Sequence, residues 1–348
     1  MTEVVVDMLV REGRLDLDAP VSHYIAGFPN GPSGGAATVR HLLTHRAGVP
    51  HRVTSALEET QHLTPSDIVG RVRAAGLLTE PGTVEAYSSA GFTCLARVIE
   101  IVEDKPFDSV LVQRIFAPAS MVGASGETGQ QLMRDRATPY RLTVNQTAVI
   151  VASAGYKDLS FLGGAGSVYA TGKDLLQLAT AVRHDKFGSA VRRKLITGAD
   201  TTVTGWYGRT NGYEASMDFV PATNTTIVIL SNLQSGSTWQ IRTAIRRRMI
   251  GVSPDPIVTP PAVAPSFEPA TDVIGKYGDA ADPVVIAQLD GVMSRDDSEF
   301  FPIAGGSYYL PSSAATMHFR RNSNGVVDAL VTRFPRGTDR ILSRVLQR

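Results

Sequence analysis

A proline-rich stretch divides this chain into two parts with different residue patterns. Six prolines fall between Gly251 and Pro269, and no helical pattern crosses them. Proline fixes φ and removes a backbone donor, so such a stretch favours a semi-rigid linker over a helix or a central strand. The sequence therefore predicts a large domain over residues 1–251, a linker over 252–271 and a small domain over 272–348.

The part before the linker mixes helical and strand patterns. Thr38, Thr64 and Thr171 stand where helices are predicted to begin, because a threonine oxygen can accept a free amide hydrogen of the first turn. The predicted helices are Met1–Glu12, the segment after Thr38, 64–75, Ser89–Glu103, Phe107–Phe116, the segment after Thr171 and Trp239–Ile250. Two strand patterns, Glu214–Val220 and Thr225–Ser231, are joined by a short turn. This order predicts a mixed α/β (α+β) fold, with a sheet flanked by helices and a helical lobe.

The part after the linker shows only strand patterns separated by turn residues. The predicted strands are Pro283–Leu289, Ser307–Leu310, Thr316–Arg320, Val326–Phe334 and Arg340–Val345, with turns at Asp290-Gly291 and 322–325. Several short strands at close spacing are typical of a small antiparallel β-barrel.

Composition excludes several classes of function. The chain has 348 residues, 43% of them hydrophobic and 19% charged, which is ordinary for a folded globular protein. A net charge of +1 offers no electrostatic case for binding nucleic acid or an anionic membrane. No apolar run is long enough to span a bilayer. The single cysteine, Cys94, excludes an internal disulfide, and its apolar surroundings predict a buried structural thiol. Compartment and partner proteins are not readable from the sequence.

Two motifs match catalytic patterns but lack the required context. Residues 31–35 fit G-x-S-x-G, yet neither an apolar strand before them nor a helix after them is predicted. Three histidines, His41, His45 and His51, suggest a metal site, but a zinc-protease helix needs a glutamate where Leu42 stands. We therefore expect capping and packing roles for the histidines, and neither a metal nor another cofactor.

Four segments together resemble one enzyme family. They read GRLDLDAPV from residue 13, TVRHLLTHRAG from 38, PGTVEAYSSAGF from 81 and GWYGRTNGYEA from 205. In this order they resemble the β-lactamase/penicillin-binding-protein-like serine hydrolases of the class C/esterase type. The resemblance covers Met1 to about Gly251. The strand-rich tail is similar to the lipocalin-like domain that follows many of these hydrolases.

The resemblance implies a nucleophile in S-x-x-K. Ser and Lys at i and i+3 lie on one helix face, where a neutral lysine can take the serine proton. The family register places the lysine about two positions before Met1 and the serine about five before it. None of the six lysines of this chain has a serine three positions earlier. We therefore expect the chain as numbered to be N-terminally truncated, to lack both residues and to be inactive by itself.

Tyr87-Ser88-Ser89 occupies the place of the family motif Y-x-N, just ahead of a predicted helix. The resemblance implies that Tyr87 transfers protons to and from the nucleophile and the leaving group. The alternative is a core tyrosine with a satisfied hydroxyl. Ser89 stands where the family carries Asn, and a hydroxyl cannot replace both the donor and the acceptor of an amide. A second role for Ser89 is to cap the following helix.

Trp206-Tyr207-Gly208 falls where relatives carry K-T-G or H-x-G. In the family this edge strand lines the site, and the amide after the glycine, here that of Arg209, completes the oxyanion hole. A tryptophan in place of a cation favours neutral ester or amide substrates over anionic β-lactams. The alternative is that Trp206 is a packed aromatic residue.

The resemblance thus implies a serine hydrolase, either an esterase or a peptidase/amidase, that acts on small ester, amide or peptide substrates through an acyl-enzyme. One rival hypothesis is an inactive binding module that uses the same cleft, which the departures at Ser89 and Trp206 favour. Another is an acyl transferase or peptide cyclase on the same scaffold, which the sequence does not separate from a hydrolase.

Overall fold

A computed structural model describes residues 1–126, 135–144, 149–192, 203–254, 261, 271–278, 283–289, 292–295, 298–311, 315–334 and 339–345. These residues divide into two compact units. The first comprises described residues of Met1–Arg136, Tyr156–Trp206 and Met217–Val228, and the second those of Ala137–Gly155, Tyr207–Ser216 and Ile229–Arg348. Most of the predicted linker and the turn at Asp290-Gly291 lie outside the described residues, and the division at 251 and 272 stays a prediction.

The first unit is built around helices. They are α1 (Thr2–Arg11), α2 (Val21–Tyr24), α3 (Val39–Leu43), α4 (Pro65–Ala75), α5 (Ser89–Glu103), α6 (Phe107–Leu111), α7 (Ala117–Ala119), α8 (Gly172–Arg183) and α9 (Ser189–Arg192), and the second unit carries α10 (Ser237–Met249). Val5, Val6 and Leu9 of α1 are fully buried, as are Leu95 and Ile99 of α5. Burial of such apolar faces supplies most of the stability of helices in a folded protein.

Three helices begin as predicted. The hydroxyls of Thr38, Thr64 and Thr171 each accept the amide hydrogen of the third residue of the helix that follows. In return, the side chain of that third residue accepts the amide hydrogen of the threonine, and these residues are His41, Asp67 and Asp174. Each capping box therefore satisfies two backbone donors that the helix itself leaves unpaired.

The predicted helix over Phe107–Phe116 changes its form halfway. Its first half is α6, and Val112–Phe116 continues as a π-helical turn. Arg114 on this turn bonds Glu12 at 2.7 Å and Glu103 at 2.8 Å. Glu103 also pairs with Arg14, and only 5% of the Glu103 side chain is exposed. This network joins the end of α1 to the end of α5.

Cys94 lies elsewhere in α5. Burial raises the pKa of its thiol to about 12, which agrees with the predicted structural role.

The strands before residue 251 form small sheets. They are β1 (Ser125–Gly126), β2 (Tyr140–Val144), β3 (Val149–Ser153), β4 (Val168–Tyr169), β5 (Thr204–Thr210), β6 (Tyr213–Val220), β7 (Thr225–Ser231) and β8 (Leu233–Gln234). Strand β1 pairs with β4, β2 lies between β3 and β8, and β6 lies between β5 and β7. The division between the units crosses β5, β6 and β7. A two-residue turn, Asn211-Gly212, joins β5 to β6 with positive φ at both positions, the geometry of a tight hairpin.

The remaining strands of the second unit form a nearly closed antiparallel barrel. They are β9 (Gly275–Gly278), β10 (Pro283–Leu289), β11 (Val292–Arg295), β12 (Ser298–Ile303), β13 (Ser307–Leu310), β14 (Ala315–Arg321), β15 (Val327–Arg333) and β16 (Arg340–Ser343), each paired with the next. A bridge between Tyr277 and Arg344 brings the two ends of the sheet together. Phe300 and Phe319 pack edge-on against Tyr308, so large aromatic side chains fill the interior.

The predicted fold class, a mixed α/β fold followed by a small antiparallel barrel, is confirmed. The predicted strand at Glu214 begins one residue earlier, and the predicted helix at Trp239 begins at Ser237. Strands β1, β2, β3, β4, β8, β9, β11 and β12 were not predicted, and β5 was expected only through the family resemblance. In the part of the chain that the structure describes, no helix is both long and apolar enough to cross a bilayer.

Candidate active site around Tyr87

Tyr87 is exposed and lies directly before the N-terminus of α5. Its exposed fraction is 60%, so the alternative of a core tyrosine is wrong for this residue. The rings of two histidines flank its phenol ring, with centroids 4.6 Å away for His45 and 5.3 Å for His51. His45 also stacks on Phe92 of α5, at 4.9 Å. The tyrosine therefore stands on an aromatic support while its ring remains open to solvent.

Ser88, and not Ser89, caps helix α5. The Ser88 hydroxyl accepts the amide hydrogen of Gly91 at 2.8 Å and donates to the carbonyl of Pro50 at 2.9 Å. Ser89 is the first residue inside the helix, so the capping role expected for it falls one position earlier. The cap is displaced because Ser88 has the extended backbone that an N-cap requires, whereas Ser89 is already helical.

His45 and His51 together accept four backbone amides around Tyr87. His45 takes the amide hydrogen of Ala86 on its carbonyl at 2.9 Å and that of Ser88 on Nδ1 at 3.2 Å. His51 takes that of Ser89 on Nδ1 at 3.3 Å and that of Ala90 on its carbonyl at 3.4 Å. With the Ser88 cap, these bonds satisfy the free donors of the first turn of α5. His45 thus holds the residue on each side of Tyr87, and His51 holds the two residues that follow Ser88.

The backbone of His45 adopts a conformation that is uncommon for a residue with a side chain. Its φ is +56°, in the left-handed region, directly after the end of α3. The amides of Arg46 and His45 donate to the carbonyls of His41 and Leu42, at 2.7 and 3.2 Å. This is a Schellman motif with histidine at the position where glycine is usual. A side chain kept in such a conformation points to a role for that side chain.

The geometry requires neutral rings. A protonated imidazole carries hydrogen on both nitrogens, so Nδ1 could no longer accept the amide hydrogen of Ser88 or Ser89. Burial lowers the pKa of His45 below its ordinary value, opposed by the negative charges of Glu85 and Glu3 and supported by His51. The positive end of the α5 dipole also disfavours a cation there. Neutral His45 therefore carries its hydrogen on Nε2.

The expected capping and packing roles account for all three histidines. Nδ1 of His41 accepts the amide hydrogen of Thr38, and the other two rings take the bonds just described. Nitrogens already engaged as acceptors are poorly placed to bind a metal. Among the described residues, no three His, Cys, Asp or Glu side chains are grouped so as to hold an ion.

Trp206 lies on β5, an edge strand of the described three-stranded sheet. Its exposed fraction is 41%, and its ring meets that of buried Phe219 edge-on at a centroid distance of 6.1 Å. The guanidinium of Arg183 lies 5.6 Å from the Phe219 ring. One edge of Trp206 is therefore packed, while the remainder faces solvent. The packing alternative and an aromatic wall for a substrate are both compatible with this placement.

Gly208 and Arg209 follow on the same strand, within the second unit. Both are exposed. A Cβ atom at Gly208 would meet no heavy atom within 4 Å, so the fold does not demand glycine at this position. Neighbouring Tyr207 packs edge-on against Trp239 at 5.2 Å. Burial, followed by the charge of Glu214, raises the pKa of the Tyr207 phenol above its usual range, so Tyr207 stays neutral.

A surface cavity of about 540 Å³ lies elsewhere in the first unit. Its lining includes Arg14, Asp16, Asp18, His23 and Arg40, and Tyr87 is not part of it. Arg40 and Asp18 pair through two hydrogen bonds, at 2.7 and 2.8 Å. The charges of this one pair therefore neutralise each other.

The fold is similar to that of a penicillin-binding protein from Bacillus halodurans, with TM-score 0.60 and 23% identity over 71% of this chain and 83% of that one. It is similar to a D-amino acid amidase from Ochrobactrum anthropi SV3, with TM-score 0.61 and 18% identity over 72% of this chain and 81% of that one. It is also similar to a protein named SurE, with TM-score 0.60 and 18% identity over 99% of this chain and 85% of that one. At these identities the likeness shows the fold.

The sequence comparison then shows the family. A family model described as Beta-lactamase matches residues 1–248, and the chain belongs to this family. Among curated proteins it is similar to PbpX of Bacillus subtilis (strain 168), named as a penicillin-binding protein, with 25% identity over 241 residues. That match covers 66% of this chain and 59% of the relative, so the chain spans about three fifths of the relative's length.

Tyr87 is predicted from the sequence, but the two histidines that hold it are not. Thr38 and the helix after it were predicted; that helix ends at Leu43, Thr44 is its C-cap, and His45 follows the cap. A histidine at the first residue beyond a helix, where glycine is usual, is the signal that could have identified His45. No comparable local signal exists for His51, since its role depends on where α5 begins in space.

Proposed function

We propose that this chain carries the active-site scaffold of a serine hydrolase that cleaves ester or amide bonds, including peptide bonds, through an acyl-enzyme. In this proposal Tyr87 transfers the proton, and Ser89 stands in the place of the family asparagine. The family resemblance assigns the role of substrate wall to Trp206, Gly208 and Arg209. The observation that carries the proposal is the setting of Tyr87. Its phenol ring is exposed and flanked by two histidine rings, and the backbone amides next to it are hydrogen-bonded to those histidines.

The physical argument concerns how a phenol can catalyse. A general acid or base must present its oxygen to the substrate with little freedom to turn away, because misplacement costs rate steeply. The two histidine rings, whose centroids lie 4.6 and 5.3 Å from that of the Tyr87 ring, restrict its side chain. The helix that follows restricts its backbone. A tyrosine held in this way solely for stability would be expected to bury its ring.

The proposed substrates are small neutral esters or amides. Trp206 presents an aromatic surface where a cation would attract a substrate carboxylate, so anionic β-lactams lose a favourable contact. A half-exposed tryptophan also offers apolar area to an acyl group. A similar fold in a D-amino acid amidase and similarity to a penicillin-binding protein support amide chemistry as the class of reaction.

The experiment tests whether the chain can be labelled at a nucleophilic serine. These 348 residues contain no S-x-x-K, so we expect them to remain unlabelled by a fluorophosphonate probe or a fluorescent penicillin. A longer chain that places S-x-x-K ahead of Met1, with the lysine two positions before it, is expected to be labelled at that serine. A matched chain with alanine in place of the serine is the control.

The two rival hypotheses give different results. Stoichiometric labelling of the 348-residue chain would contradict the proposal. A folded longer chain that binds a substrate analogue without being labelled would favour the inactive binding module. A labelled chain that releases its acyl group to an added amine faster than to water would favour the acyl transferase or peptide cyclase.

A further inference from the structure

We infer that His45 and His51 are positioning residues for Tyr87, whose Nδ1 atoms hold the backbone directly after the tyrosine, at Ser88 and Ser89, only while the rings are neutral. The inference rests on the proposed role of Tyr87, and it assigns a task to two side chains that the proposed chemistry does not use. Neither histidine is assigned contact with the substrate.

The first support is the pattern of hydrogen bonds. Each histidine uses two acceptors, Nδ1 and its own carbonyl, on two backbone amides beside Tyr87. The carbonyls would accept with any residue at these positions. The Nδ1 bonds to Ser88 and Ser89 need an imidazole or another acceptor at the same place. The side chains therefore contribute bonds that a simple packing residue would not.

The second support is the left-handed backbone of His45. Glycine would end α3 at no steric cost, and asparagine at little cost. Histidine at φ +56° keeps a ring that stacks on Phe92, touches Tyr87 and accepts from Ser88. A residue in an unfavourable conformation that makes three directed contacts is better explained by those contacts than by the turn.

The charges around the histidine rings determine how the Nδ1 hydrogen bonds respond to pH. Glu85 on the preceding loop and Glu3 on α1 favour protonated His45, whereas burial and His51 oppose it. Glu85 is itself paired with Arg46 at 3.2 Å, which reduces its effect. Protonation puts a hydrogen on Nδ1 against the amide hydrogen of Ser88. The bond is then lost, and the segment that carries Tyr87 loosens.

The experiment uses the 348-residue chain and needs no catalytic activity. Backbone amide NMR would follow hydrogen-exchange protection of Ala86, Ser88 and Ser89 between about pH 8 and about pH 5, the range in which histidines titrate. A fluorine label on the Tyr87 ring would report the side chain. As His45 protonates, we expect protection at Ser88 to fall by about fivefold to tenfold, the equivalent of one hydrogen bond. The Tyr87 signal should shift with the same midpoint.

Three variants separate positioning from general stability. In His45→Asn, the side-chain oxygen replaces Nδ1, the left-handed backbone is tolerated and the group cannot titrate. Protection at Ser88 should then persist and lose its pH dependence. In His45→Ala, protection at Ser88 should be low at all pH values, while Ala86, bonded to the backbone carbonyl, stays protected. His23→Ala, a histidine outside the site, should change neither amide.

The inference fails if the Ser88 amide stays protected in His45→Ala. It also fails if, in the wild-type chain, neither the protection of Ser88 nor the fluorine signal of Tyr87 changes as His45 titrates. Parallel loss at Ala86 and Ser88 would indicate that the loop unfolds as a whole, and would also overturn it. These outcomes do not depend on hydrolysis. Absence of activity in a longer chain would contradict the proposed function and leave this result intact.

Discussion

The hydroxyl of Ser88 donates to the carbonyl of Pro50 across 2.9 Å, and so ties the start of α5 to the loop that follows α3. The same oxygen caps α5 by accepting from Gly91. We expect Ser88→Ala to lower the free energy of unfolding by about 1–2 kcal/mol, the usual cost of losing a serine cap. Ser89→Ala, one position into the helix, should change it by less than about 0.5 kcal/mol. Equal losses in urea unfolding would contradict the assignment of the cap to Ser88.

Gly212 is required by the hairpin between β5 and β6, whereas Gly208 on β5 is not. Gly212 has a φ of +87°, and an added Cβ would lie 2.7 Å from the Cβ atoms of both Ala154 and Pro139. We expect Gly212→Ala to cost about 2 kcal/mol or more in thermal or urea unfolding, since strain and collision add. Gly208→Ala is the matched control and should cost less than about 1 kcal/mol. A tolerated Gly212→Ala would refute the hairpin geometry.

Glu103 is the buried member of the ion network on the π-helical turn. Its side chain is 5% exposed and serves both Arg114 and Arg14, whereas that of Glu12, which also pairs with Arg114, is 39% exposed. Removing a buried partner leaves a guanidinium poorly paired, so Glu103→Gln should cost about 2 kcal/mol. Glu12→Gln should cost less than about 1 kcal/mol, because water already screens that pair. The measurement is the urea midpoint of each variant, and the reverse order would contradict the network.

The depressed pKa of His45 predicts a loss of stability in mild acid. In the unfolded chain the ring titrates near its ordinary value of 6.5, and in the folded chain it titrates lower. Below pH 6.5 the unfolded state binds more protons, so stability is complete above that value and falls as the pH drops towards the folded pKa. His45→Asn should remove this part of the pH dependence. The check is the difference between the two chains in melting temperature across that range; parallel curves would disprove it.

Tyr87→Phe tests the proposed proton transfer in a longer chain that carries S-x-x-K. The substitution keeps the ring and its contacts with His45 and His51, and removes only the hydroxyl oxygen. We expect kcat to fall by about 10²–10⁴-fold, the range for loss of a general acid or base. Tyr24→Phe is a control outside the site. Near-normal turnover by a folded Tyr87→Phe enzyme would remove the catalytic role from this tyrosine.

The elements that sequence analysis predicted well are those with local signals. Thr64 with Asp67, and Thr171 with Asp174, mark helix starts by capping chemistry that needs no tertiary contact. Strands β9 and β11 were missed because GKYG has a glycine at each end, which strands disfavour, and VMSR places its two apolar residues side by side instead of alternating them with polar ones. Asn211-Gly212 was an available hairpin signal that would have predicted β5 from the residues alone, without the family resemblance.

For the site, the sequence identified candidate residues but not the neighbouring residues that hold them in place. Tyr87 and Trp206 were found through their resemblance to family motifs, and their roles stay proposals. His51 could not be assigned, because its bond to Ser89 joins residues 38 positions apart in the chain. Ser89 was given the capping role because serine is favoured at either position, and only the backbone angles distinguish Ser88.

The capping of α5 by a distant loop has a consequence for the order of folding. The bonds from Ser88 to His45 and to Pro50 close segments of 43 and 38 residues. The first turn of α5 therefore depends on loop closure, whose entropic cost must be met before any of these bonds forms. Contacts of such sequence separation form slowly compared with local helical turns. We expect the later turns of α5 to form early, and the turn beside Tyr87 to become ordered only when the α3 loop docks, so the candidate active site would be among the last parts of the first unit to form.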